Sequence, residues 1–373
     1  MKRIAHTSSL QSEEWFRPLG CASLIGRNAW RGDVFYAFMP QEIQRLKDVA
    51  AELETLCMQA VEHVIRHRLY DAMLMPSAPS LRQEIERSWE RQEPAFCGRL
   101  DLAYDGISAP KLLEYNPERP GLLLESALLQ RYWLQHEMPH AGQFNEIEAR
   151  LSQAWRALDT PELVISLLDT PHLHSEEDDI AAFLQRTAGS ARINVQIVPR
   201  RLIQTDHNRL WSPEGQPIRH LMITHDWYEM LACGLLDCFS PQETRVIEPA
   251  WRCLLGNKAL LKVLWDLYPD HPNLLHTTLH AEEQRGNYVT KPIIGAMGEN
   301  ITLHHAQEIR TQGRFGAFPN VYQQLASLPF HEAQYAQVGL WVIGGHPAGL
   351  IIREDASPII RYDSVSLPHI VEI

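Results

Sequence analysis

Hydrophobic positions along the chain change period several times. Between Met39 and Arg68, the residues Ile43, Leu46, Val49, Ala50, Leu53, Leu56, Cys57, Ala60, Val61, Val64 and Ile65 recur at helical spacing. Pro40 stands near the start of this run, where a first-turn proline costs no hydrogen bond. The spacing predicts one long amphipathic helix, followed by a second over Pro79–Glu90 with charges of both signs interleaved. The period then falls to two. Gly98–Tyr104 alternates polar and apolar, breaks at Asp105-Gly106 and resumes over Lys111–Asn116, the pattern of a β-hairpin. Gly121–Gln135 returns to a helical texture.

The continuous apolar run Leu163–Leu168 predicts a buried strand. An acidic stretch, Glu176–Asp179, leads into a helix over Ile180–Thr187, and strands are predicted at Ile193–Val198 and His220–Thr224. This strand–helix–strand order marks a small α/β unit. The last third reads as a helix (Lys258–Tyr268), a strand (Tyr288–Lys291), a glycine-bearing loop (Gly295–Gly298) and a helix (Ala306–Gln312). Two strands, Ala336–Ile343 and Ala348–Arg353, follow, hinged at Gly344-Gly345. The predicted class is α/β with α+β character. Three segments are expected: residues 1–135 with the hairpin, 136–245 with the small α/β unit, and 246–373 with the C-terminal strands.

A length of 373 residues fits roughly two domains at about 150 residues each. With 34 basic against 46 acidic residues the formal charge is −12, which argues against nucleic-acid or anionic-membrane partners. The N-terminus lacks the apolar core of a signal peptide, and no apolar run approaches the roughly 18 residues that span a bilayer. The six cysteines form no CxxC pair and read as reduced thiols, so the expected location is the cytoplasm. GxxxxGK[ST], GxGxxG and GxSxG are all absent. His136-Glu137-Met138-Pro139-His140 matches the zinc-protease string, but Pro139 breaks the helix on which both histidines would have to lie. That segment reads as a helix end.

The hairpin holds the candidate chemistry. Glu114 and Asn116 share one face by their period-two spacing, and Asp101 on the partner strand can join them. Two carboxylates and an amide are the hard oxygen donors that Mg²⁺ takes when it also binds phosphate. Arg99 alternates with Asp101 and is placed to neutralise a phosphoryl group. The same pattern equally describes a solvated hairpin carrying ordinary charges. Lys258 opens a helix, and Lys291 ends a strand beside the Gly295–Gly298 loop, an arrangement that can hold nucleotide phosphates. Arg353 ends a strand in the same third of the chain.

The stretches Trp30–Ile65, Cys97–Asn116 (CGRLDLAYDG…KLLEYN), Glu248–Leu275 (EPAWRCLLGNKALLKVLWDLYPDHPNLL), Tyr288–Asn300 (with KPxxGxxGxN) and Tyr322–Asp355 resemble the glutathionylspermidine synthase family. The likeness is to the C-terminal synthetase domain and its stand-alone homologues, and it covers most of the chain. It implies an ATP-grasp fold with an associated small α/β domain, and an ATP-driven ligase joining a carboxylate to an amine through an acyl phosphate. It further implies Mg²⁺ on Asp101, Glu114 and Asn116, and phosphate stabilisation by Arg99 and Arg353. Lys258 and Lys291 would bind nucleotide phosphates, with Gln323, Gln324, Leu325 and Gln337 around the adenine. Glu176, Glu177 and Thr224 resemble positions that grip the acid substrate.

Two departures from the family pattern stand out. After Glu114-Tyr115-Asn116 the family carries Ala-Asp and then a hydroxyl residue, whereas here Pro117-Glu118-Arg119 follows, placing Arg119 on the substrate side. The lid loop has Ala296 where characterised enzymes have arginine. The expectation is an active ligase for an acid other than glutathione, with an amine partner of which a polyamine is one candidate. The alternative is a catalytically silent ATP-grasp module that binds nucleotide or polyamine.

Overall fold

The computed structural model describes residues 1–10, 12–118, 121–158, 160–167, 175–224, 226–232, 234 and 243–372. Arg119 and Leu168 lie outside the described residues. Among the described residues no helix is long and apolar enough to cross a membrane.

The main sheet runs Val365–Leu367, His346–Asp355, Gln334–Ile343, Cys97–Ala103, Lys111–Asn116, with Phe330–His331 paired to the side of Gln334–Ile343. The predicted central hairpin (Cys97–Ala103 and Lys111–Asn116) therefore pairs with a C-terminal hairpin far away in sequence. Strands from the first and last predicted segments form one sheet. A second, wholly parallel sheet orders Arg245–Ile247, His220–Ile223, Glu162–Leu167 and Asn194–Pro199. A third, antiparallel sheet orders Thr277–Thr278, Asn320–Gln324, Tyr288–Pro292, Thr302–His304 and Ile309–Arg310. It is called the cover sheet below. Lys2–Ala5, Val34–Phe38 and His369–Val371 make a small terminal sheet.

The long helix spans Pro40–His67 and ends at Arg68 in the left-handed conformation. Its apolar stripe packs with Leu100, Leu102, Val338, Leu340, Val342, Leu350 and Ile352 of the main sheet in one core. Because side chains alternate across a strand, the odd-numbered positions of these strands point to the other face. There Cys97, Trp341, Ile343 and Ile351 pack against Leu123–Leu129, Ile147, Leu151 and Trp155. On that same face, farther along, stand Arg99, Asp101, Gln337 and Arg353. One face of one sheet is thus apolar at one end and charged at the other. Gly339 sits at the border, where a Cβ would lie 2.8 Å from Arg99 Cδ and 3.1 Å from Ile351 Cγ2. Any larger residue would displace the arginine.

Two expectations change. Ala306–Gln312 is not a helix: Ile309–Arg310 is an edge strand pairing with Leu303 and Thr302. Weak local helix propensity yields there to sheet pairing. The Gly121–Gln135 stretch is helical only in part, with a wide π turn over Glu125–Leu129 before the α-helix Gln130–Glu137. That α-helix stops before Met138 and Pro139, as the proline requires. Glu137 accepts hydrogen bonds from Ser8, Ser9 and Leu10 and contacts His6 at 2.8 Å. The acidic stretch Glu176–Asp179 is the first turn of a longer helix, Glu176–Ser190, capped by Ser175. Carboxylates there complement the helix dipole.

A buried ion pair staples the central hairpin. Arg252, 1% exposed, donates to the carbonyls of Pro117 (2.7 and 3.0 Å) and Cys97 (2.8 Å), and lies 3.1 Å from Glu248 Oε2. Glu248 in turn accepts from the amides of Phe96 (2.8 Å) and Cys97 (2.7 Å). Burial pushes the Glu248 carboxyl up to about 7, with Arg252 opposing the shift. Gly98 leaves space for this arrangement, since a Cβ there would lie 2.6 Å from Arg252 Nη2. Removing one partner of a fully buried pair leaves an uncompensated charge. Arg252→Ala should therefore lower unfolding free energy by about 3–5 kcal/mol, measured by urea denaturation; a loss below about 1 kcal/mol would contradict the staple.

Candidate functional site

The polar end of the main sheet opens into a cleft of about 640 Å³, bounded by the cover sheet, the Gly295–Glu299 loop and the parallel sheet's Glu176–Ser190 helix. Every site residue singled out in the sequence, apart from Arg119, lines this cleft. Arg119 falls outside the described residues.

The floor is the central hairpin. Antiparallel pairing sets Asp101 opposite Glu114 and Arg99 opposite Asn116. Arg99 forks onto Asp101, Nε to Oδ1 at 2.7 Å and Nη2 to Oδ2 at 3.1 Å, and donates through Nη1 to the Gly121 carbonyl at 2.7 Å. A bidentate charge-assisted pair fixes both side chains. The Asn116 amide donates to Asp101 Oδ2 at 3.1 Å and Glu114 Oε1 at 3.5 Å. The two carboxylates thus converge on a single point. Burial pushes the Glu114 carboxyl up, but Lys258, Lys291 and Arg99 outweigh it and hold it below the usual carboxylate range.

The roof supplies cations. Lys258 Nζ lies 3.4 Å from Glu114 Oε2 and donates to the Gly295 carbonyl at 2.8 Å, which ties the helix start to the glycine loop. Lys291, on the cover sheet, donates to Gln323 Oε1 at 2.8 Å and to the Leu113 carbonyl at 3.1 Å. Gln323 donates onward to the Leu112 carbonyl at 3.2 Å, so its amide orientation is fixed. Burial, with Lys258 nearby, brings the Lys291 ammonium down to about 8 against the pull of Glu114 and Asp101. The loop itself is folded back on the chain. Glu299 Oε2 accepts from the Arg314 amide at 2.9 Å, Asn300 Oδ1 from the Phe315 amide at 2.8 Å, and the Gly298 carbonyl from Thr311 at 2.6 Å. Met297, Gly298 and Asn300 all have positive φ. A Cβ at Gly298 would lie 2.5 Å from the Ile360 carbonyl, so this corner requires glycine.

Beyond the lysines the cleft becomes apolar. Val289, Leu303, Leu325 and Ile359 form a small cluster of their own along it. Gln324 is exposed, and its backbone N–H donates to the His276 carbonyl at 2.8 Å, while the Leu325 backbone N–H donates to the Asn287 carbonyl at 3.0 Å. Gln337 and Arg353 are register partners in the C-terminal hairpin. Arg353 donates through Nη2 to the Arg361 carbonyl.

At the opposite wall, Thr224 Oγ1 donates to the Ser166 carbonyl (3.3 Å) and to Glu177 Oε2 (3.4 Å), and Glu176 pairs with Arg27 at 2.6 Å. Sequence reasoning missed Glu118 and Glu125, which also line the cleft. Glu118 accepts from the Trp227 amide at 3.0 Å, and burial with Asp226 beside it pushes its carboxyl up to about 8. The one charge in the apolar run Gly121–Leu129 was the available signal for Glu125.

Among the described residues, no group of three or more His, Cys, Asp or Glu is arranged to hold a metal. The donors Asp101, Glu114 and Asn116 fit instead an ion that fills much of its shell with water and phosphate oxygens, as Mg²⁺ does. Both carboxylates meet at the Asn116 amide, whose oxygen, rather than the nitrogen that donates to them here, would be the ligating atom.

Residues 19–372 match the family model described as "Glutathionylspermidine synthase preATP-grasp". A Haemophilus influenzae protein described as "Putative acid--amine ligase" is 30% identical over 92% of this chain and 91% of its own length. The bifunctional glutathionylspermidine synthetase/amidase of Escherichia coli is 27% identical over 90% of this chain, which spans 59% of that protein. Trypanothione synthetase of Crithidia fasciculata is 26% identical over 75% of this chain and 48% of its length. Among solved structures, a glutathione synthetase-like effector from Globodera pallida superposes with a TM-score of 0.54 over 90% of this chain and 89% of that one, at 13% identity. That likeness concerns the fold, which is of the mixed α/β ATP-grasp class. A match over nearly the whole length shows that the chain belongs to the glutathionylspermidine synthase family.

Proposed function

We propose that this protein is an ATP- and Mg²⁺-dependent ligase that joins a small-molecule carboxylic acid to an amine through an acyl phosphate. The observation that carries this reading is the convergence of Lys258, Lys291, Arg99 and Arg353 with the Asp101, Glu114 and Asn116 donors along one cleft. Arg99 pairs with Asp101 and Lys258 with Glu114 within salt-bridge distance, so cations of the kind that phosphoryl transfer uses are held beside the oxygen donors.

In this reading Asp101, Glu114 and Asn116 hold Mg²⁺, which neutralises phosphate charge when bound. Lys258 and Lys291 engage the nucleotide phosphates from the roof, and the apolar slot beside Leu325 takes the base. Gln323 and Gln337 border that slot, with Gln324 at its rim. Arg99 and Arg353 stabilise the phosphoryl group in transit. A carboxylate oxygen of the acid attacks the γ-phosphorus and ADP departs. The amine nitrogen then attacks the carbonyl carbon, the bond to the phosphate oxygen breaks, and phosphate leaves with the electron pair. The Gly295–Glu299 loop restricts water at this stage.

Glu176, Glu177 and Thr224 form the wall facing the reacting end, where the acid substrate is received. Pro117-Glu118 and Ala296 differ from the family pattern on the substrate side, so the acid is one other than glutathione. A polyamine is the proposed amine, consistent with the net charge of −12.

Two outcomes follow. Asp101→Asn keeps the shape of the floor and removes one metal donor; ADP release with a turned-over acid–amine pair should fall by about a hundredfold or more. An unchanged rate would sink the ligase reading, and a wild type without turnover on any pair would favour the silent nucleotide-binding module. The second concerns pH. Because the Lys291 ammonium loses its proton near 8, its attraction for phosphate is present below that pH and lost above it. Affinity for a non-hydrolysable ATP analogue should weaken as pH rises from about 8 to 10, and Lys291→Arg, which keeps its charge, should flatten the profile. A rising affinity over that range would contradict the assignment.

A further inference from the structure

Among the described residues, three buried polar atoms of cleft-lining side chains find no hydrogen-bond partner: Glu125 Oε2, Arg353 Nε and Ser366 Oγ. Such atoms are costly unless something satisfies them. Two of them are tied together by the sheet, since Arg353 and Ser366 are register partners. The third comes from the π turn Glu125–Leu129, a local widening of the helix that brings a carboxylate into an otherwise apolar run. Glu125 is 3% exposed and Ser366 is fully buried.

The chemistry of the three atoms is complementary rather than uniform. Arg353 Nε can only donate, Glu125 Oε2 accepts, and Ser366 Oγ can do either. Arg353 stands across the strand from Ser366, and Glu125 and Arg353 feel each other's charge; an oxyanion suits the arginine, and an ammonium suits the carboxylate and hydroxyl. The charged and titratable groups around Glu125 are Cys21 from the N-terminal segment, Arg99 from the central hairpin, Arg353 from the C-terminal hairpin and Glu176 from the facing helix. Glu176 pairs with Arg27, and Arg99 with Asp101.

We infer that Glu125, with Ser366, binds the ammonium head of the amine substrate and accepts its proton, next to the acyl oxygen held by Arg353. The chemical step rests on the ligase reading. A primary amine arrives as RNH₃⁺ and cannot attack until one proton has left. That proton passes to the Glu125 carboxylate. The nitrogen lone pair then forms the C–N bond, the C–O bond to phosphate breaks, and phosphate departs with the electron pair. The second proton on nitrogen follows it to phosphate and leaves the neutral amide. Burial, reinforced by Glu176 and opposed by Arg353 and Arg99, pushes the Glu125 carboxyl up to about 8. At neutral pH the empty site is therefore protonated, and an arriving ammonium displaces that proton.

The test is calorimetric titration with spermidine as the probe amine, at pH 7, in two buffers of different ionisation enthalpy, without nucleotide. Wild-type protein should bind saturably and release about one proton per spermidine. Glu125→Gln should weaken binding by about tenfold or more and abolish proton release. Ser366→Ala should weaken binding by about threefold and leave proton release intact. Thermal unfolding of both variants shows whether they fold. If Glu125→Gln does not, the Ser366→Ala titration decides. Equal affinity and equal proton release in Glu125→Gln and wild type would overturn the assignment, as would a wild type that does not bind. Spermidine binding as described, in a protein that releases no ADP with any acid, would refute the ligase reading and leave Glu125 as an ammonium site.

Discussion

Everything at the reacting end depends on how buried charges are kept in company. Taking an isolated guanidinium or carboxylate out of water is prohibitive unless it is paired and hydrogen-bonded. In this fold the cost is met by alternation: Arg99 grips Asp101, Asn116 bridges Asp101 to Glu114, and Glu114 faces Lys258. Lys291 extends the series to the Gln323 amide. No member could be buried alone, so the pattern commits the hairpin, the roof helix and the cover sheet to one relative arrangement. It also leaves the site preorganised for polyanion chemistry, with its cations already desolvated.

The sheet that carries this network does two tasks on a single face. Trp341, Ile343 and Ile351 anchor the apolar half, and Gly339 opens the room through which Arg99 reaches the polar half. The buried Arg252–Glu248 pair holds the amide end of one strand and the carbonyl end of its neighbour, so the register that sets Asp101 across from Glu114 is fixed from behind. Rigid strands position the oxygen donors, whereas the opposite wall of the cleft comes from helix starts and loops. This division matches the sequence, in which the floor keeps the family pattern and the departures fall at Pro117–Arg119 and Ala296.

The hairpin was legible because its period-two alternation specifies both a fold and a face, and Asp101, Glu114 and Asn116 fall on that face as spacing requires. The long helix was legible from its helical spacing, and three strands of the parallel sheet from short apolar runs, whereas its fourth strand, Arg245–Ile247, was not foreseen. Pairing of the central hairpin with the C-terminal one was not, since nothing local in either strand names a partner so distant in sequence. Ile309–Arg310 read as helix because an edge strand of two residues leaves almost no periodic signal. Glu125 was passed over because a lone carboxylate in an apolar stretch looks the same whether it reaches water or a cleft, and Glu118 because it stands among polar and proline residues that read as a connection. The roles of the nucleotide-side residues came from family resemblance. The structure brings Lys258, Lys291, Gln323 and Gln337 to the same cleft as the hairpin.

The central claim is that this cleft binds a nucleotide through its phosphates with a divalent ion. Isothermal titration of the wild-type protein with a non-hydrolysable ATP analogue, with and without Mg²⁺, tests it most directly. The account predicts saturable binding that Mg²⁺ strengthens and that Lys291→Ala removes. Absence of binding at millimolar nucleotide in the presence of Mg²⁺ would contradict it.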